Sequence, residues 1–556
     1  MRKSFVAVST LLLLFLFACK SKTQKEQEQE REQERKEVEI DKSITPANAY
    51  NNLFLDSNKL KDFLANHPEY SAYAQQYVDF YRYRNFEYAW FDTSGLSEQA
   101  INFVNLLNST IADLNDSSLY NKKMMSLYNK FLTDSSAHEE KSPLQAELYL
   151  TGQFFMYVAK IYNANGSDIN AKELGWFIPR KKVDFTTMLD STVANRGKGE
   201  DRVLPLNNEY KELQAALTKY YNIRDKDTWD SIHAPAKGYK MGDSATAIAL
   251  IKHRLNLFGD MPQADTTGKF NESLKVAVQS FQARMGLPTT GIINKATIQE
   301  LNYPIVGRIK QLLINLERDR WMPAETDSAY IMVNIPEYKL HVYEGTRQQL
   351  GMNVIVGKAG TGTVIFTGKL KYIVFSPYWN VPKSIVEKEI VPGMERNPNY
   401  LAEHNMEITG QENGLPVVRQ LPGDSNSLGH VKFLFPNSYD IYLHDTPQRD
   451  LFTATNRSFS HGCIRVQYPD SLAQYLLRDK PEWTPEKIDS SMHLQEEKWV
   501  TLDKPVRVYI GYFTAWVDDD GRLNFRKDIY GHDKKMANKL FINNPTANQT
   551  LTLAGK

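Results

Sequence analysis

The period of the apolar residues changes once, near Asp327, and no other feature bounds the fold as tightly. Before it, apolar side chains recur every three or four residues, as in Ile248, Ile251, Leu255 and Phe258 or Leu274, Val278, Phe281 and Met285. That is the spacing of one-sided helices. After it, short runs rich in β-branched and aromatic residues follow one another between turns: Tyr330 to Ile335, Leu340 to Tyr343, Val354 to Gly357, Leu370 to Phe375, Asp440 to Leu443, Val506 to Tyr512, and Trp516 to Phe525 folded over Asp519-Asp520-Gly521. These read as strands. The chain is therefore expected to be a multidomain α+β protein, helical first and β-rich last. At 556 residues it has room for several domains of about 100–200 residues each. Lys and Arg number 67 against 66 Asp and Glu, a net +1, so no global field exists to hold a polyanion and nucleic acid is not an expected partner.

Met1-Arg2-Lys3 and the apolar run Val6 to Phe17 form a basic start and a stretch shorter than the about twenty residues that span a bilayer. This pattern predicts an export signal over 1–19. It ends Leu16-Phe17-Ala18-Cys19, which resembles the lipobox of bacterial lipoproteins. The resemblance implies that Cys19 becomes a lipidated N-terminus, anchoring the mature chain to a membrane of the cell envelope, on the periplasmic side. Residues 20–45 are expected to be a charged tether, since Lys20 to Glu37 contains no apolar residue to join a core. Residues 46–239 read as a helical scaffold. Residues 240–303 read as a small helical unit that Gly242-Asp243-Ser244 opens and whose second helix stops at Gly286-Leu287-Pro288. Its residue order resembles the three-helix peptidoglycan-binding domain appended to wall enzymes. A return helix over 304–328 ends at Arg320-Trp321-Met322-Pro323. The β-rich domain occupies 329–512 with a Pro-, Gly- and Asn-rich insertion at 380–438, and 513–556 supplies a last strand and tail.

The chain has two cysteines, and the second, Cys463, lies in Phe459-Ser460-His461-Gly462-Cys463-Ile464-Arg465, nineteen residues after His444 in Tyr442-Leu443-His444-Asp445. A thiol of pKa about 8.5 is a weak nucleophile until a histidine or backbone dipoles favour the thiolate, and two imidazoles stand nearby in sequence. Gly462 permits a tight turn in which the N–H groups around Gly462 and Cys463 converge where a carbonyl oxygen gains charge, the requirement of an oxyanion hole. The rival readings of these residues are a buried structural cysteine and a zinc site, for which the usual short ligand pairs are missing.

His444 followed by Ser460-His461-Gly462-Cys463 resembles the signature of the L,D-transpeptidases, the cysteine enzymes that cross-link bacterial peptidoglycan. The resemblance extends through Ser376 to Pro382, Val431 to Asn437 and Tyr512 to Trp516, and is to the larger branch of the family. It implies that Cys463 is the nucleophile and His444 its base, held in the right tautomer by the Asp445 backbone carbonyl, with His461 and Gly462 shaping the catalytic turn. It further implies substrate contacts from Trp379, Tyr442, Ser460 and Arg465, the last of which has a structural ion pair as its alternative role. The insertion would cap the site with Trp379 beside the donor peptide. The expected partners are peptidoglycan stem peptides and glycan, with no cofactor and no metal required. A carboxypeptidase using the same cysteine and an inactive lipid-anchored wall-binding protein are the competing functions.

Overall fold

The helix-patterned and strand-patterned halves take those forms in a computed structural model describing residues 53–542, apart from 93–94, 115–116, 134–142, 163–174, 179–184, 195, 197–207, 264 and 324–327. The export signal, Cys19 and the tether lie outside the described residues. The chain divides into two compact units. One is built from residues up to Ser109 with Leu119–Lys160 and Val183–Val203, the other from Thr110–Ser118, Ile161–Lys182 and everything after Leu204.

The first unit is helical, with α1 (Ser57–Asn66), α2 (Ala74–Tyr83), α3 (Glu98–Leu114), α4 (Lys122–Thr133), α5 (Leu144–Tyr162), α6 (Phe185–Ala194) and a short hairpin of β1 (Phe91–Asp92) and β2 (Gly95–Leu96). Its core is aromatic: Tyr70, Tyr77, Phe80, Tyr81, Trp90, Phe103 and Phe155 are all fully buried. Such rings need partners for their polar ends. Tyr77 donates to the Leu148 carbonyl at 2.6 Å, and Tyr81 donates to the buried Glu147 carboxyl at 2.8 Å. Glu147 also accepts from the Ala89 and Trp90 backbone N–H groups. Gly152 makes room for this packing, because a Cβ there would lie 2.2 Å from the Tyr77 hydroxyl.

In the second unit α7 (Asn208–Lys226) packs along α11 (Ile305–Trp321). Leu213, Leu217 and Tyr220 of α7 are buried, and Arg320 of α11 donates to Tyr210 at 2.7 Å. The apolar stripe of α7 is covered by α11, the helix expected to return to the scaffold, and residues after 204 pack with the second unit. Between them lie α8 (Thr246–Phe258), α9 (Glu272–Arg284) and α10 (Lys295–Leu301). The Gly242-Asp243-Ser244 entry needs correction. Ala245 occupies the cap position of α8 and makes no side-chain cap, while Asp243 pairs through its backbone with Phe270. Gly286 does close α9, at φ +67°, with Leu287 N–H donating to the Gln282 carbonyl. Arg284 and Asp260 form a buried ion pair, and Arg284 also donates to the Leu523 carbonyl at 3.2 Å, which joins the helical unit to the β-rich part.

The strands of that part are β3 (Ala329–Asn334), β4 (Lys339–Glu344), β5 (Arg347–Gly357), β6 (Phe366–Phe375), β7 (Trp379–Asn380), β8 (Met406–Glu412), β9 (Leu415–Gln420), β10 (Val431–Leu434), β11 (Leu443–His444), β12 (Ser458–Ser460), β13 (Ile464–Val466), β14 (Lys498–Gly511), β15 (Ala515–Val517) and β16 (Leu523–Phe525). Nine of them form one sheet in the order β12-β5-β13-β11-β10-β6-β14-β3-β4, and β4 pairs with β5 so that the sheet closes on itself. Ile373, Val431, Phe433, Leu443, Ile464 and Val500 are buried and share one face by register. Phe375, on that face, stacks on Trp483 in the link between α12 (Pro469–Leu477) and α13 (Pro485–Met492). The opposite face of the same strands carries the site.

The insertion is not a loop. β7, β9 and β8 form a separate three-stranded sheet, and Val381, Val386, Ile390 and Val418 give it a core of its own. Its expected limits of 380–438 are corrected to a start at Trp379, in β7, and an end before Val431, because β10 pairs with β6 and β11 in the main sheet. No helix among the described residues is long and apolar enough to cross a membrane.

Candidate active site

β11 and β13 are adjacent and parallel, with Leu443 opposite Ile464 and His444 opposite Arg465. Alternation along each strand then sends Tyr442, His444, Cys463 and Arg465 to one face. Tyr442 stands beside Cys463, where its polar groups favour the thiolate, and its ring meets the His444 ring edge-on at 5.7 Å. The thiol and the imidazole thus stand on neighbouring strands against one tyrosine.

His444 is buried, and its Nδ1 donates to the Asp445 backbone carbonyl at 2.6 Å. That bond leaves Nε2 as the acceptor. Burial, and then the Arg465 guanidinium, lower its pKa to about 3, so the imidazole is neutral at ordinary pH. Burial pushes the Cys463 thiol up, while neighbouring Tyr442 and Arg465 act in the opposite direction. Both groups therefore rest uncharged. The Asp445 carboxylate is occupied elsewhere, with Arg449 and with the His430 backbone N–H.

The turn before Cys463 is held from inside. Gly462 sits at φ +126°, a region that disfavours any side chain. Ser460 Oγ donates to the Cys463 carbonyl at 2.6 Å and accepts from the Gly462 N–H at 3.1 Å. Ser460 is 3% exposed, so its hydroxyl is spent on the turn; the expected contact between Ser460 and substrate is corrected to a positioning contact. The Gly462 N–H is spent as well, and of the two amides expected to converge on an oxyanion, only that of Cys463 is not taken up in the turn. Arg465 Nη1 donates to the Gln448 side-chain oxygen at 2.7 Å, and its buried Nε has no partner. The ion pair considered for Arg465 is replaced by this amide contact, which leaves guanidinium donors for a ligand.

Two further expected site residues have these surroundings. His461 is exposed on the turn and is not a partner of the thiol. Trp379 packs against the insertion's own core. Conversely, Thr363, Asp440 and Tyr530 were not anticipated. Thr363 Oγ1 donates to the Gly462 carbonyl at 2.8 Å and accepts from the Gly357 N–H, Tyr530 donates to the Gly357 carbonyl, and the Asp440 carbonyl lies 3.5 Å from Cys463 Sγ. Asp440 has φ +53°, and the turn-forming Pro436-Asn437-Ser438 ahead of it is the one signal the sequence carries for it. Among the described residues no group of three or more His, Cys, Asp or Glu is arranged to hold a metal ion. A cavity of about 1310 Å³, lined by Tyr330, Tyr343, Trp516 and Glu209, contains none of these site residues.

Comparison with known proteins bears on this geometry. Residues 328–508 match the L,D-transpeptidase catalytic domain, residues 75–217 a scaffold domain, and residues 244–301 the family described as "Putative peptidoglycan binding domain". A Haemophilus influenzae protein named "Putative L,D-transpeptidase" is 36% identical over 247 residues, 41% of this chain and 49% of that one. The chain thus spans about half the length of this curated relative. Among solved structures, an L,D-transpeptidase from Stackebrandtia nassauensis is 17% identical, with 50% of this chain and 98% of that chain covered and a TM-score of 0.22. One from Mycobacterium smegmatis is 13% identical, with 33% and 58% covered and a TM-score of 0.19. Scores that low carry no argument, and the assignment rests on the family matches. The β-rich part of this chain belongs to the L,D-transpeptidase catalytic-domain family, and it is joined to a peptidoglycan-binding domain and a scaffold domain.

Proposed function

We propose that the protein is a peptidoglycan L,D-transpeptidase that forms 3→3 cross-links through a thioester on Cys463. The single observation that carries this reading is the pairing of β11 with β13, which sets Cys463, His444, Tyr442 and Arg465 on one sheet face. In the first step Sγ bonds to the carbonyl carbon of the third residue of a tetrapeptide stem and gives its proton to His444 Nε2. Since both groups start uncharged, proton transfer accompanies attack, and Arg465 favours the sulfur's developing charge. The Cys463 N–H, with Tyr442 and the free Arg465 donors, stabilises the oxyanion. The carbon–nitrogen bond then breaks, His444 returns its proton to the leaving amine, and D-alanine departs. An amine of a diamino acid on a neighbouring stem attacks the thioester, its proton passes through His444 to the thiolate, and the new amide forms. The bond energy of the first amide is kept in the thioester, so no nucleotide is consumed.

The test is intact-protein mass spectrometry after adding a tetrapeptide stem. The expected adduct is the stem less one alanine, absent from Cys463→Ala. A Cys463→Ala protein that still cross-links stems refutes the mechanism. Supplying an amine acceptor then separates a cross-linked dimer from the trimmed tripeptide a carboxypeptidase would release. The peptidoglycan-binding domain and the expected export signal support an extracytoplasmic site of action on wall polymer. Lipidation at Cys19 is part of the proposal, and incorporation of labelled fatty acid into the wild type but not into Cys19→Ser tests it.

A further inference from the structure

The sheet face that carries Cys463 does not stop at the catalytic residues. His444 is opposite Lys432 on β10, Lys432 is opposite Val374 on β6, and Val374 is opposite Trp499 on β14. In the next row on this face, two residues along and level with Cys463, Leu434 is opposite Tyr372 and Tyr372 is opposite Thr501. Directly opposed residues share a face. Tyr372, Lys432 and Trp499 are therefore a continuation of the surface on which the thiol and imidazole stand.

These side chains form an organised platform. The Tyr372 and Trp499 rings meet at 5.8 Å and 69°. Lys432 turns across Val374 to bring Nζ within 5.7 Å of the Trp499 ring. The Trp499 indole N–H donates to Glu497 at 2.8 Å, which fixes the ring's orientation. Yet Trp499 is 52% exposed. Around it β14 has a neighbour on one side only, since β3 pairs with Arg507–Gly511 further along. A large aromatic ring held in place and left in water is poorly explained by packing and well suited to a ligand with an apolar face and polar edges.

The distances select the ligand. Strands are spaced about 4.8 Å apart, so Tyr372 lies three strands and ~14 Å from the Cys463 position, and β14 lies one strand beyond. From the third carbonyl of a stem peptide back to its N-terminus is three residues, or about 10–11 Å when extended. A stem placed for attack by Cys463 and running across β11 and β10 would thus deliver its attached sugar to Tyr372 and the next sugar to Trp499. Lys432, midway, faces the stem and would meet a stem carboxylate.

We propose that Tyr372, Trp499 and Lys432 form a saccharide subsite for the glycan strand bearing the donor stem, with sugar rings lying on the two aromatic faces. The proposal rests on Cys463 being the acylated nucleophile, and the experiment keeps the two apart. Acylation of the full chain is followed by mass spectrometry with a free tetrapeptide and with the same tetrapeptide on a disaccharide. The wild type should acylate the disaccharide-peptide with a kcat/KM about tenfold or more above the free peptide. Trp499→Ala and Tyr372→Ala should remove that advantage, mainly through KM, and leave the free peptide unchanged, with Trp499→Phe retaining part of it. Lys432→Met should weaken both substrates. Binding of a stem-free glycan oligomer, measured by calorimetry, should be reduced in Trp499→Ala at unchanged melting temperature. A wild type without preference, or a Trp499→Ala protein that keeps both preference and glycan affinity, overturns the subsite. If no protein forms an adduct, the Cys463 reading fails, and the calorimetric comparison alone decides the subsite.

Discussion

Replacing Ser460 by alanine separates the two roles open to that residue. Its hydroxyl is buried and bonded twice, to the Cys463 carbonyl at 2.6 Å and to the Gly462 N–H at 3.1 Å. Alanine leaves both backbone groups without their partner. Each such buried group costs about 1–3 kcal/mol. Because Cys463 is only partly buried, water can reach one of them, which leaves a cost of about 1–3 kcal/mol. At 1.4 kcal/mol per decade this lowers the population of the catalytic turn by about 5- to 140-fold wherever the loss is confined to it. The assay is alkylation of Cys463 by a small neutral reagent, followed at peptide level so that Cys19 does not interfere, alongside acylation by a stem peptide. A turn-holding Ser460 predicts that both rates change together and that the pH dependence of alkylation moves, because Sγ shifts relative to Tyr442 and Arg465. A substrate-contacting Ser460 predicts a raised KM with alkylation untouched. The second pattern would refute the positioning assignment.

The two units should respond to pH with opposite sign. Burial raises Glu147 in the first unit to about 7 from an ordinary 4.5, despite two backbone donors. Between those values the folded state keeps a proton that the unfolded state has lost. Its stabilisation is full below pH 4.5 and lost as pH rises through 7, by up to about 1.4 kcal/mol per unit. Glu147→Gln should flatten the slope in urea unfolding. His444 in the second unit falls to about 3 from 6.5, so the unfolded state binds the extra proton; stability is full above pH 6.5 and declines as pH falls toward 3. His444→Gln should remove that decline as well as acylation. Arg284→Ala should strand the Asp260 carboxylate, 3% exposed, and cost about 3–5 kcal/mol, seen as a lower unfolding midpoint of the second unit. An unchanged midpoint would show that water or another cation satisfies Asp260.

Local chemistry was readable where one residue's neighbours along the chain set its role. The helical stripe Ile248, Ile251, Leu255, Phe258 is buried as its spacing requires, and Gly286 ends α9 because only a residue tolerant of positive φ fits there. The hairpin over Asp519-Asp520-Gly521 likewise follows from its turn residues. The Cys463 and His444 pairing was suggested by motif resemblance, since nothing in the spacing of nineteen residues says that two strands will be parallel neighbours. Ser460 shows the limit most directly: the sequence places it beside the cysteine but does not say whether its hydroxyl points outward or back into the turn.

The period of the apolar residues by itself determined that this chain is helical before Asp327 and β-rich after it, because each element must bury one face and the periods of helix and strand differ. Only the tertiary structure decided that α7 packs along α11, that the insertion has its own core, and that Thr363 braces the nucleophile's turn from 100 residues before it while Tyr530, 67 after it, holds the Gly357 carbonyl. Those outcomes depend on which buried groups find partners across long stretches of chain. A hydrogen bond between residues so far apart leaves no trace in the local pattern of either.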